Sequence, residues 1–298
     1  MDTLEDLRKK LSGAKDIKSV VRAMKAMAAS NIAQYEAAVS SLGDYYHTIS
    51  LGIAAYLMQE KRQGLTKNEA PHKYGDQAVC AIVFGSDQGL VGRFNNVMTD
   101  FVTQSLRNLR GTKEIWVIGE RVKLLLADVG LVAAKSFAVP NSIDAVTPLI
   151  GQILVEIEAL TEKQPKMEFY IFHNQPGPDT GYGPAMQRLL PLDEQWRHDF
   201  TEIKWPTNYI PEIIGKPGAA LLALISAYLF VSLFKACVES LASENASRLE
   251  AMQRADKNIG NLLDSIGHKF HRLRQSSIDE ELFDVVSGFE ALNAKPIK

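Results

Sequence analysis

From Val238 onward the apolar positions recur with a seven-residue period: Val238, Ala242, Asn245, Leu249, Met252, Asp256, Ile259, Leu263, Ile266, Phe270, Leu273 and Ser277. Steps of four and three alternate, which places all of them on one seam of a coiled coil. No proline falls between Pro217 and Pro296. The internal glycines Gly260 and Gly267 cost a helix only about 1 kcal/mol each. The pattern predicts one helix from about Gly218 to Phe289, and some 70 residues at 1.5 Å each make it about 100 Å long. Asn245 and Asp256 interrupt the apolar seam and read as register or contact positions.

A second periodic segment opens the chain. Leu4, Leu7, Leu11, Ala14, Ile17, Val21, Met24 and Ala28 step by three or four, and Ile32, Val39, Leu42, Tyr46, Ile49, Ile53 and Leu57 continue the series. Asp2 or Thr3 can cap its start, with Glu5 and Asp6 favourable in the first turn. Gly13, Gly43 and Gly52 are its interruptions, so it is one long helix, or two joined near Gly43. The two terminal segments are expected to pair antiparallel.

Between them the texture changes. Lys61 to Asp76 is a polar, Gly- and Pro-broken linker. Ala78 to Phe84 is a continuous apolar run, as in a strand buried on both faces. Further strands are predicted at Glu114–Ile118, Leu131–Val139 and Met167–Phe172, with helices near Asn95–Asn108, Gly119–Leu126 and Ile143–Glu162. Gln175 to Pro184 reads as a Gly/Pro-rich loop, Met186 to Leu192 as an edge strand, and Trp196 to Pro217 as a connection. Alternating strands and helices imply a mostly parallel sheet. The fold class is therefore α/β: a long antiparallel coiled coil of the N- and C-terminal helices with an inserted, Rossmann-like domain. The expected divisions are 1–60, 76–205 and 211–290.

Composition narrows the chemistry. A formal net charge of -2 gives no basic surplus for general nucleic-acid binding. Cys80 and Cys237 stand far apart in sequence and read as reduced, buried thiols of an intracellular protein. The N-terminus lacks an early apolar run and carries acids among its bases, unlike a secretory or transit signal. Gly85, Gly89 and Gly92 follow the first strand and precede a helix, but their spacing fits neither dinucleotide nor P-loop patterns, so a generic turn is favoured. His268 and His271 share a helix face with only Asp264 near at ligand spacing; no cofactor or metal is implied. The uncharged run Pro217 to Phe234 is long enough to be considered as a membrane span, yet it flows into charged heptads and reads as a helix covered all round by protein. Arg8, Lys9, Lys10, Lys15, Lys18, Arg22 and Lys25 are opposed within their stretch by Asp16 alone. They form either a solvated face or a basic collar for an acidic partner.

Several stretches together carry a resemblance. Val21-Arg22-Ala23-Met24-Lys25-Ala26-Met27-Ala28-Ala29-Ser30 is similar to T-K-A-M-x-M-V-A-A-S, and Ser86 to Asn95 (SDQGLVGRFN) to S-D-R-G-L-C-G-G-L-N. Glu239 to Met252 (ESLASENASRLEAM) is similar to E-x-L-A-S-E-x-A-A-R-M-x-A-M. Arg274-Gln275-Ser276-Ser277-Ile278 and Val285-Val286-Ser287-Gly288 match R-Q-A-S-I and I-V-S-G. In this order they resemble the gamma subunit of F-type ATP synthases, the central rotor shaft. Val91 stands for the usual Cys, Arg93-Phe94 for Gly-Leu, and Asp279 for Thr.

The resemblance implies a non-catalytic shaft that couples ion flow to ATP synthesis by turning inside an alpha/beta ring. The implied partners are the alpha and beta subunits, the epsilon subunit and the membrane c-ring, with no nucleotide bound directly. The implied place is the cytoplasmic face of the cell membrane, as a peripheral protein. By motif position Met24, Glu244, Arg248, Arg274 and Gln275 are the expected coupling residues, with the basic collar facing acidic loops of the beta subunits.

Overall fold

The computed structural model describes residues 3–62, 78–177, 181–192, 194–203, 205, 207, 209 and 217–293. The element order is α1 (Leu4–Arg62), β1 (Val79–Phe84), α2 (Phe94–Asn108), β2 (Lys113–Ile118), α3 (Glu120–Asp128), β3 (Lys135–Phe137), α4 (Val146–Lys163), β4 (Glu168–Gly177), β5 (Gly181–Leu190), α5 (Glu194–Thr201) and α6 (Pro217–Asn293). Of the linker expected at Lys61 to Asp76, residues 61 and 62 end α1 and 63–76 lie outside the described residues. Residues 28–248 form one compact unit; residues up to 27 together with those from 249 form another.

In the larger unit the five strands are ordered β3-β2-β1-β4-β5. The first four are parallel and β5 pairs antiparallel with β4, Tyr170 opposite Arg188 and Phe172 opposite Met186. All six residues of β1 are buried, because alternate side chains leave a strand on opposite faces and both faces are covered. Cys80, Ile82, Phe84, Trp116, Phe169 and Ile171 pack with α4 and with Leu233 to Ala242 of α6. Ala81, Val83, Val117 and Phe172 face the other way, onto Met98 and Val102 of α2 and Val122 and Leu126 of α3. Burial pushes the thiols of Cys80 and Cys237 far up, so both stay protonated and unreactive.

The segment read as a Gly/Pro-rich loop is in fact the paired ends of a hairpin, with Gln175 opposite Gly183 and Gly177 opposite Gly181. Proline and glycine are tolerated there because β5 is an edge strand and β4 pairs with β1 only as far as Phe172, short of Pro176. The third strand shrinks to Lys135–Phe137, and α5 occupies part of the expected connection. Trp196 and Phe200 of α5 pack on Tyr228 of α6, together with Ile49, Ile53 and Leu57 of α1. Gly52 lets α1 and α6 approach: a Cβ there would stand 2.9 Å from Leu224 Cδ2. The uncharged run of α6 is thus covered on one side. Its most apolar window is 44% buried, and Leu222 remains 68% exposed, which corrects the expectation of cover all round.

In the smaller unit Thr3 is the helix cap. Its hydroxyl oxygen accepts the Asp6 amide at 3.2 Å while the Asp6 carboxylate accepts the Thr3 amide at 3.2 Å, a reciprocal box that satisfies two orphan donors. α1 itself, whose later part including Gly43 belongs to the larger unit, is one helix without a break at Gly43. Its sheltered positions up to Ala28 are Leu4, Leu7, Leu11, Ala14, Lys18, Val21, Met24, Lys25 and Ala28, and all but Met24 keep four-three steps. Ile17, expected on the seam, is 58% exposed.

Candidate functional site

Two kinds of surface carry the residues singled out by motif. The first is in the larger unit, where α6 meets the sheet and α1. Glu239, Ser243 and Ser247 are four apart and so share a stripe of the helix. His173 Nε2 lies 2.9 Å from a Glu239 carboxylate oxygen, the Ser243 hydroxyl donates to the Asn174 carbonyl at 3.2 Å, and the Ser247 hydroxyl donates to the Val91 carbonyl at 2.5 Å. On a neighbouring stripe Arg248 pairs with Glu244 at 2.5 Å, and Asn31 of α1 donates to Asn245 at 3.3 Å. Glu244 and Arg248 keep only 8% and 14% of their side chains exposed. Burial, opposed by the Arg248 guanidinium, holds the Glu244 carboxyl above its ordinary range.

The turn after β1 is part of this junction, and it is filled from within. One Asp87 carboxylate oxygen accepts the Glu120 amide at 2.9 Å, the first of α3, and the other accepts the Val139 amide at 3.1 Å. Asp87 therefore takes the place an anionic ligand would want at that helix start. Asn95 closes the turn, its Oδ1 accepting the Ser86 amide and its Nδ2 donating to the Ser86 hydroxyl. Gly119 adopts φ +117, and a Cβ there would come within 2.8 Å of the Ser86 nitrogen. The S-D-x-G string thus builds a knot between two strand ends, where spacing alone left a phosphate turn to be weighed.

The second surface belongs to the smaller unit. Arg8, Lys9, Lys10, Lys15 and Arg22 are exposed, whereas Lys18 and Lys25 are half-buried on the heptad seam. Lys18 Nζ lies 3.5 Å from where a Gly260 Cβ would stand, so the side chain reaches across the seam to α6. Arg22 approaches Asp256 at 3.5 Å. At about 100° per residue, Arg8, Lys15 and Arg22 flank one side of the seam, and Ile17, Val20, Met24 and Met27 the other. Ile17, Val20 and Met27 are 58–66% exposed and Met24 is half-buried. Arg274 and Gln275 are exposed.

Beyond Gln275 comes a feature that the motif reading did not single out. Ile278, Leu282, Val285 and Phe289 are 51%, 63%, 70% and 68% exposed. Their spacing of four, three and four makes one stripe, turned about 100° from the seam. That spacing was visible in sequence, but the heptad seam masked it.

The sequence model of the ATP synthase family matches residues 3–292. The ATP synthase gamma chain of Nitrosomonas eutropha is 27% identical over 98% of this chain and 100% of its own length. The chain belongs to the ATP synthase gamma family. The gamma chain of Glaesserella parasuis is 28% identical over 97% of this chain and 99% of its own. Among solved structures, a chain of the Euglena gracilis mitochondrial ATP synthase superposes with a TM-score of 0.63 at 16% identity, covering 99% of this chain and 96% of that one. A chain of the Tetrahymena thermophila mitochondrial ATP synthase central stalk and c-ring gives 0.55 at 18% identity, covering 79% and 99%. At such identities these likenesses speak for the family's fold.

Proposed function

We propose that this chain is the rotor shaft of an F-type ATP synthase, turning inside a ring of alpha and beta subunits and resting, with an epsilon subunit, on a membrane c-ring driven by ion flow. The observation that carries the reading is the smaller unit. Its two helices close a seam on each other yet leave a basic flank on α1 and apolar stripes on α1 and α6 open. Burying one large apolar side chain contributes about 1.5–3 kcal/mol, so such stripes favour a sleeve of protein around them. Basic side chains beside them suit acidic loops and steer the encounter.

A shaft needs no catalytic group of its own. Rotation presents different contacts to each beta subunit in turn, and a site's affinity shifts by the difference in contact free energy between its states. In this proposal Met24, Arg274 and Gln275 make such contacts directly. Glu244 and Arg248, which face each other, hold the helix that carries the contacts. The subunit is peripheral, at the cytoplasmic face of the membrane.

The test is co-expression with the alpha and beta subunits of the same cell. Recovery of a head whose ATPase activity depends on this chain is the expected result. A head of equal activity formed without it, or no complex at all, overturns the reading.

A further inference from the structure

We infer that Ser247 and Tyr182 form a clamp that positions α6 against the sheet and so carries torque between them, an inference resting on the shaft reading above. Three departures from the family strings converge here. Ser247 stands where the string has Ala, Val91 where it has Cys, and Phe94 where it has Leu. The Ser247 hydroxyl donates to the Val91 carbonyl at 2.5 Å and lies 3.1 Å from the Tyr182 hydroxyl. Since the Ser247 proton is committed to Val91, the Tyr182 O–H donates and the Ser247 oxygen accepts. The Tyr182 ring packs on Phe94, centroids 5.7 Å apart.

One side chain of α6, 3% exposed, thereby fastens two pieces of the α/β domain. These are the turn anchored by Asp87 and the edge strand β5. It does so one residue before Arg248, on the turn of helix where Asn245 meets α1. Apolar packing between helix and sheet has no preferred direction and permits sliding; the hydrogen bond between the buried Ser247 and Val91, seconded by the half-buried Tyr182, has fixed geometry and resists it. Neither Ser247 nor Tyr182 touches a reacting group. They are positioning residues.

Ser247→Ala makes a sharp test, because the two readings predict opposite results. If the serine only fills space, alanine restores the family string, raises helix propensity and leaves the assembled enzyme unchanged. If it clamps, the complex with Ser247→Ala, which loses both hydrogen bonds, keeps its ATP hydrolysis, while ions pumped per ATP fall by at least about fivefold, the factor that a single ordinary hydrogen bond carries. Tyr182→Phe, which keeps the Ser247–Val91 bond, gives a smaller loss of the same kind, the double variant adds little to Ser247→Ala, and Ser247→Thr restores coupling by returning a hydroxyl. Wild-type coupling in Ser247→Ala, or full additivity of the two losses, overturns the clamp. Absence of coupled pumping in the wild-type complex would instead count against the shaft reading itself. A Ser247→Ala chain that fails to assemble while Tyr182→Phe assembles with wild-type coupling also overturns it.

Discussion

Two stretches of α6 invert the usual rule for a soluble helix, in opposite senses. Between Glu239 and Arg248 the polar side chains go inside: Ser240, Ser243, Glu244, Asn245 and Ser247 are at most 6% exposed. Between Ile278 and Phe289 the apolar side chains stay outside, Leu282 and Phe283 at 63% and 72%. Buried polar groups are tolerable only when each finds a partner, and Ser243, Glu244, Asn245 and Ser247 do so within the chain. Exposed apolar side chains in such a run are costly in water unless another molecule covers them. One stretch is therefore finished by this chain, and the other is left to be completed by a neighbour. The contrast separates residues that hold the shaft together from residues that meet a partner, a distinction that motif matching alone does not make.

The largest expected effect tests the finished stretch. Arg248→Met leaves the Glu244 carboxylate buried without its cation, a change that costs about 3–5 kcal/mol when the charge must stay. The Glu244 pKa is already raised by burial, so the folded state holds this proton more tightly than the unfolded one. Its contribution to stability is then present below the ordinary carboxylate pKa and lost as pH rises through the folded value. Removing Arg248 takes away a lowering influence and raises that pKa further. Urea unfolding of Arg248→Met should accordingly show a small deficit near about pH 5 and a large one near about pH 8. Glu244→Gln in the same background should flatten the difference. A deficit independent of pH would mean that the pair is not a buried ionic contact.

The open stretch predicts the reverse behaviour. Leu282→Ser and Phe289→Ser remove exposed side chains, so the unfolding free energy of the isolated chain should move by no more than about 0.5 kcal/mol. Assembly with the alpha and beta subunits, followed by size exclusion, should weaken for both. A stability loss above about 1.5 kcal/mol would show that these side chains are covered within the chain, and the comparison would collapse.

How far sequence leads differs between the same two stretches. The strands at Val79–Phe84 and Glu168–Phe172 and the long helices were legible because continuous apolar runs and four-three steps are direct traces of burial. The hairpin ends at Pro176 and Gly183 were not, since the edge strand β5, and β4 beyond its pairing with β1, accept residues that elsewhere signal a loop. Glu244 and Arg248 were recognisable as a motif, but their facing each other was not. A charged pair four apart reads as a solvated pair until its burial is known. Asp87 likewise gave no sign that it would accept the amides of Glu120 and Val139, residues brought together only by the parallel sheet. Ile17 misled for a simpler reason. An isoleucine among basic residues invites a place on the seam, yet the flexible Lys18 side chain can reach over Gly260, where α6 has no side chain of its own.

Lys18 supplies the smallest expected effect and the finest division between the two kinds of surface. It belongs by charge to the basic collar and by position to the seam, half-buried over Gly260. Lys18→Met keeps an unbranched stem of similar volume and removes the charge. Because Lys18 is only half-buried and methionine keeps its unbranched stem, the isolated chain should change by about 0.5 kcal/mol or less. If the collar meets acidic loops through exposed cations, Lys15→Met should lower the salt dependence of head assembly more than Lys18→Met does, since a charge held in the seam faces its own chain. Titrating sodium chloride against assembly of the two variants measures this directly. Equal loss of salt dependence would place Lys18 with the exposed collar, and the division drawn along α1 would then have to follow charge and not heptad position.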